Sequence, residues 1–284
     1  MRSILVSNES TVVSDADAAA GVADVQDQIN TDFAPAYSGL RADLVFWPKS
    51  KGSPPKNIEI IHILDNSDVA DALGYHELNP AGYPEGFVFA KTTIDAGDPW
   101  ETCFGHETLE QILDPYANWT VQAAMGQNVV WVALEDCDPC ESDQYSPKGI
   151  PRTNFVLPLW FTGGAGQVDF LGKLKKGLSL DAGGYIAYAD SSGQWGQVTG
   201  RQVHAHRAGA PKFSRKGRYA LHTHHAMRGV SHTAKMDMNG WLQLLSSLLQ
   251  IAPQLIQQVQ QIVQTIGAAL PAGAPARARL AAAK

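Results

Sequence analysis

"CFGHETLEQILDPYANW", residues 103–119, puts one histidine, three acids and a helix-ending proline into a single stretch. On an α-helix, His106, Glu110 and Asp114 fall at i, i+4 and i+8, stacked on one face about a turn apart. Glu107 lies beside His106, turned by roughly 100°. The stretch from His106 reads His-Glu-x-x-Glu. In the metallopeptidase pattern His-Glu-x-x-His, two ligands one turn apart hold zinc and the Glu between them activates water. Here Glu110 takes the second ligand position, which a carboxylate can fill, and Glu107 is the candidate base. Pro115 closes the helix just after Asp114. The competing reading is a solvated helix face that happens to carry a histidine.

Catalytic zinc ordinarily takes three protein ligands, so a third must come from elsewhere. "WVALEDCDPCESDQY", residues 131–145, supplies Glu135, Asp136, Asp138, Glu141 and Asp143 directly after a strand. Glu135 is the first choice and Asp138 the second. Asp114 is either a further ligand or a partner that orients His106 or the helix. One histidine among several carboxylates makes a hard, anionic site. Zinc is the expected metal, with calcium or manganese also admissible. The extra ligand charge offsets the metal's own, so bound water should be less acidic than in a three-histidine site.

Other residues were weighed beside these. His76 sits in a turn-rich stretch. It reads either as a surface-loop histidine or as a group that reaches the cleft and stabilises an oxyanion. Cys137-Asp-Pro-Cys140 has redox-motif spacing but lacks a second pair, so packing or a local disulfide is expected. His62, in an apolar strand, is expected in the core.

Outward from residues 103–119, the chain reads as α+β. Strands are predicted at Ile4 to Asn8, Ala42 to Pro48, Ile58 to Asp65, Gly86 to Thr92, Asn128 to Glu135 and Asn154 to Phe161. A first helix is predicted from Asp15 to Tyr37, because Ala19, Val22, Val25, Ile29 and Phe33 recur at helical spacing. This is a mixed sheet with two main helices and one core. The 284 residues, 44% hydrophobic and 18% charged, suit a soluble globular protein with a sizeable core. Three cysteines exclude a secreted disulfide scaffold. The opening residues lack a secretory signal pattern, so a cytoplasmic or virion setting is expected.

Charge is uneven. Residues 1–200 hold 11 basic and 27 acidic side chains, whereas residues 201–236 hold 8 basic and none acidic. Four segments follow: a domain over 1–190, a basic His-rich arm over 191–240, a coiled-coil-like amphipathic helix over 241–270, and a disordered tail over 271–284. The arm has few aromatics for base stacking, which argues against single-stranded nucleic acid. A clasp onto an acidic body is expected instead. The helix has an apolar seam that must be covered, by a homo-oligomer or by neighbouring particle proteins. It lacks the cationic face of an interfacial helix, which ranks a membrane last.

"GHETLEQILDPYANW" together with "LEDCDPCESDQY" and "TNFVLPLWF" resembles a zincin-like protein family of bacteria and tailed phages. The likeness covers residues 1 to about 190 and excludes the arm and the C-terminal helix. It implies a zincin-like fold, with His106 and Glu110 as ligands and Glu107 as base. It implies no particular substrate. The first functional expectation is therefore a metal-dependent hydrolase, most simply a peptidase acting on a peptide substrate. The second is a structural virion protein that reuses this scaffold and assembles through the basic arm and the helix over residues 241–270.

Overall fold

The structure is a computed structural model that describes residues 2–69 and 72–200. It is a mixed α+β fold with an N-terminal helix and several sheets. The basic arm, the amphipathic helix and the tail lie outside the described residues. Among the described residues, no helix is long and apolar enough to cross a membrane.

The first sheet has five strands in the order β2-β1-β3-β5-β4. They are β1 (Ser3–Asn8), β2 (Asp43–Trp47), β3 (Ile60–Leu64), β4 (Gly74–Leu78) and β5 (Pro84–Phe89). The pairs β1–β2, β1–β3 and β3–β5 are parallel, while β4 runs antiparallel to β5. The central strands are rich in branched residues, with Ile4, Val6, Ile61 and Ile63 at 0% exposure. Buried parallel strands read as such apolar runs. His62 departs from the expected core position. Its ring is half-buried, between Glu9 (2.6 Å from Nδ1) and Glu85 (3.1 Å from Nε2), and stacks on Phe87.

Helix α1 (Asp15–Gln28) connects β1 to β2. Ser14 caps it by accepting a hydrogen bond from the Asp17 amide at 3.1 Å. The helix then widens into a π-helical turn at Ile29–Phe33 and ends in the short α2 (Ala34–Ala36). Pro35 accounts for the wider turn, since its ring would clash with the Thr31 carbonyl in an unbroken α-helix.

Two short departures surround the second main helix. The residues after β5 form helix α3 (Ala90–Asp95), so the strand predicted to Thr92 ends at Phe89. Helix α4 (Trp100–Leu113) follows. Nearly every residue from Cys103 to Leu113 is buried, which overturns the solvated-face reading. It packs on β4, β5, α1 and β9 (Arg152–Thr153). Two glycines allow the close approach to the sheet. A Cβ at Gly74 would lie 2.8 Å from both Cys103 Sγ and Glu107 Oε1, and one at Gly86 would lie 2.7 Å from Gln111 Oε1.

A second, antiparallel sheet has the order β11-β10-β7-β6. Its strands are β6 (Thr120–Met125), β7 (Asn128–Ala133), β10 (Tyr185–Ala189) and β11 (Trp195–Thr199). The β10–β11 hairpin crosses position 190, so this sheet runs to Thr199. A two-stranded sheet pairs β8 (Gln144–Tyr145) with β9. The second sheet has its own core of Val130, Val132, Val156, Trp160, Phe161 and Ile186, separate from the core around Ile4, Phe33 and Phe104. The expectation of one core is thereby corrected. So is the strand predicted over Asn154 to Phe161. Val156 makes only an isolated bridge to Asp169, and Pro158–Phe161 is helix α5. Pro158 cannot donate to a ladder but suits the first turn of a helix.

Arg152 ties β9 to the N-terminal helix. It is 2% exposed and donates to Asp24 from Nε (2.8 Å) and Nη2 (2.7 Å). It also reaches Asp27 at 2.7 Å and Asp32 at 3.2 Å. Gln28 adds a hydrogen bond to the Thr153 carbonyl at 2.8 Å. These contacts fix the interval between α1, α4 and the β9 segment.

Candidate metal centre

Helix α4 carries the centre. His106 and Glu110 share a face one turn apart, and His106 Nε2 lies 3.2 Å from Glu110 Oε1. The strand end after β7 meets them. A tight turn at Asp138–Cys140 brings Asp138 Oδ1 to 3.2 Å from the same His106 nitrogen. On the other side of α4, strand β4 delivers His76. Its Nδ1 lies 3.6 Å from Glu107 Oε2 and 3.9 Å from Glu110 Oε2. Its Nε2 lies 4.0 Å from Glu135 Oε2. His76, His106, Glu107, Glu110, Glu135 and Asp138 thus converge, each between 0% and 7% exposed.

Asp114 stands at the end of the helix. Its Oδ2 accepts a hydrogen bond from the Trp119 amide at 2.7 Å, and its backbone carbonyl accepts one from His76 Nε2 at 3.1 Å. Through its carbonyl the residue orients His76, a contact that the sequence did not predict. The carbonyl contact also orients the imidazole: Nε2 donates to it, and Nδ1 faces the carboxylates of Glu107 and Glu110. The surface-loop reading of His76 is corrected, since it sits mid-strand in β4 and is buried.

The charge balance is lopsided. Six carboxyl groups, those of Glu107, Glu110, Asp114, Glu135, Asp136 and Asp138, are buried around two imidazoles. The buried arginine of the described fold, Arg152, is engaged with Asp24, Asp27 and Asp32. Burying ionised carboxylates without a cation is costly, and such groups hold protons instead. The proton affinities follow this rule. Burial opposes the His106 imidazolium, yet Glu110, Asp138 and Glu107 hold its pKa well above the ordinary value. Burial likewise opposes charge on His76, but Glu135, Glu107 and Asp114 raise it. Burial and the neighbouring Glu135 push Asp114 up to about 6. Burial pushes Asp136 to about 8, and neither of its oxygens has a hydrogen-bond partner.

Two donor sets fall within the span of one coordination sphere: His106, Glu110 and Cys137, and His76, Glu110 and Glu135. Nitrogen, carboxylate oxygen and thiol sulfur are all donors that a divalent transition metal accepts. The residues therefore fit a metal. Cys137 was not among the expected ligands. Cys103, Cys137 and Cys140 are all buried free thiols, so the packing reading of the pair stands and the local disulfide does not. The signal for Cys137 was its place between Asp136 and Asp138 at the strand end. Gly74 was missed too, although it is the close neighbour of Glu107.

Compared with family models, curated proteins and solved structures, the chain matches none.

Proposed function

We propose that this protein is a metal-dependent hydrolase of zincin type that cleaves peptide bonds. One observation carries the reading: six buried carboxyl groups and two buried histidines are gathered on helix α4, strand β4 and the strand end after β7. His106 and Glu110 would hold the metal, with Cys137 in the same donor set and Asp138 beside His106. A bound divalent cation supplies Lewis acidity towards water and towards a carbonyl oxygen.

The chain's own groups supply the rest. Glu107 is next to the ligand His106 and buried at 2% exposure, so its carboxylate is placed to take a proton from attacking water and return it to the leaving amine. Asp114, through its carbonyl, holds the His76 ring against Glu107 and Glu110.

The peptide preference is supported by β4. Among the described strands it pairs with β5 alone, at the end of the first sheet and against α4. An extended peptide adds to such an edge by main-chain hydrogen bonds, and His76 lies at the middle of that strand. An antiparallel edge strand over the metal helix also supports the zincin-type reading.

Elemental analysis of the purified chain, paired with cleavage of an unfolded protein substrate, tests the proposal. The metal held at His106 and the cleavage should both be lost on His106→Ala. A wild-type chain that binds no divalent metal would end the proposal.

A further inference from the structure

The centre is too wide for one ion. Donors bound at about 2.0–2.3 Å to a common metal lie no more than roughly 4.6 Å apart. Two donor sets of the described residues have their ligand atoms within 4.8 Å of one another, close to that span, and they share Glu110 alone. No set contains both histidines. A single ion could take His106 or His76, but not both without movement.

Glu110 faces both ways. Its Oε1 lies 3.2 Å from His106 Nε2, and its Oε2 lies 3.9 Å from His76 Nδ1. Each oxygen thus addresses a different imidazole, the arrangement of a carboxylate that bridges two ions. The His76 ring gives an independent sign. Nδ1 is buried, has no hydrogen-bond partner, and stands 3.6 Å and 3.9 Å from two carboxylate oxygens. Those separations exceed a hydrogen bond but leave room for a cation between the groups. The Nε2 hydrogen bond to the Asp114 carbonyl is the backing that a metal-ligating histidine ordinarily has.

The geometry points to a two-metal centre bridged by Glu110. One divalent ion is held by His106, Glu110 and Cys137, with Asp138 beside them, and the second by His76, Glu110 and Glu135. The second position deepens the hydrolase reading and rests on it. Paired ions about 3.5–4 Å apart clamp both the attacking and the leaving atoms in hydrolytic sites. The ligand chemistry favours first-row transition ions such as zinc over calcium, because each set includes an imidazole and one includes a thiol.

The test uses the full-length chain, stripped of metal and titrated with manganese(II) alone. The readouts are bound metal per chain and the electron paramagnetic resonance spectrum. Two ions per chain with an exchange-coupled spectrum are expected. His76→Ala should bind one ion and show the spectrum of an isolated ion, and the isosteric Glu135→Gln should behave alike if His76→Ala folds poorly. One ion per chain in the wild type, retained by His76→Ala and Glu135→Gln, would overturn the second position and leave the hydrolase reading intact. Two uncoupled ions would overturn the Glu110 bridge. No bound metal at all would overturn both this centre and the hydrolase reading.

Discussion

Glu107 of helix α4 and His76 of strand β4 face each other across 3.6 Å in the buried heart of the molecule. Neither is near the other in sequence, and the helix and the edge strand must pack for the pair to exist. Glu107→Gln keeps the shape of the side chain and removes its basicity. Turnover should fall by about 100- to 10,000-fold, while bound metal, measured on the same sample, stays at the wild-type level. Full activity in this variant would remove Glu107 from the mechanism.

Gly74 is what lets that pair form. A Cβ there would sit 2.8 Å from Glu107 Cγ and from Cys103 Sγ. Gly74→Ala should push Glu107 out of place, lowering kcat with metal content unchanged. A crystal structure of the variant would show the displaced carboxylate, and unchanged kinetics would show that the contact relaxes at no cost.

Arg152 holds the scaffold rather than the chemistry. Removing it leaves Asp24, itself 6% exposed, as an uncompensated buried charge. Arg152→Ala should lower unfolding free energy by about 3–5 kcal/mol, read from urea denaturation. The double variant with Asp24→Asn should recover part of that loss.

Metal removal should act on the whole fold. A ligand present at about 1,000 times its dissociation constant adds roughly 4 kcal/mol to the native state. Stripping the metal should therefore lower Tm, and the drop should shrink in His106→Ala. Equal melting curves with and without chelator would count against a metal held by the native state.

The pair of His62 and Glu9 gives a pH signature away from the centre. Burial disfavours charge on His62, but Glu9 and Glu85 raise its pKa above the ordinary 6.5. The His62 hydrogen bond lowers Glu9 below its ordinary 4.5. The histidine's share of stability is complete below 6.5 and is lost as pH rises through the raised value. The glutamate's share is complete above 4.5 and is lost as pH falls through the lowered value. His62→Phe should thus be most harmful between these two ordinary values. Glu9 is more than a third exposed, so solvent screening limits the effect to about 1 kcal/mol at most. Thermal melts across pH would reveal the window, and a pH-independent difference would refute the ion pair.

Much of the first sheet was legible in the chain. The buried runs around Ile4 and Ile61 read as strands from their branched apolar residues, and the spacing of Ala19, Val22, Val25, Ile29 and Phe33 marked α1. The spacing of His106 and Glu110 was also legible, since four residues of helix fix two side chains on one face. Strand β4 was not. Gly74-Tyr-His-Glu-Leu78 has little strand character of its own, and its state comes from pairing with β5. Pro158 hid in an apolar run that favoured a strand, until its missing N–H placed it at a helix start.

By itself, then, the sequence determined the helix that presents His106, Glu107 and Glu110, because local spacing needs no distant partner. It also delivered the acids at the end of β7. Only the tertiary structure decided that this helix is buried on nearly every side, and that His76 arrives opposite it with Asp114 behind. Those contacts join residues that are distant along the chain, through close packing at Gly74 and Gly86, and no periodicity records them. They turned a helix face with one histidine into a centre with two, joined by the two oxygens of Glu110.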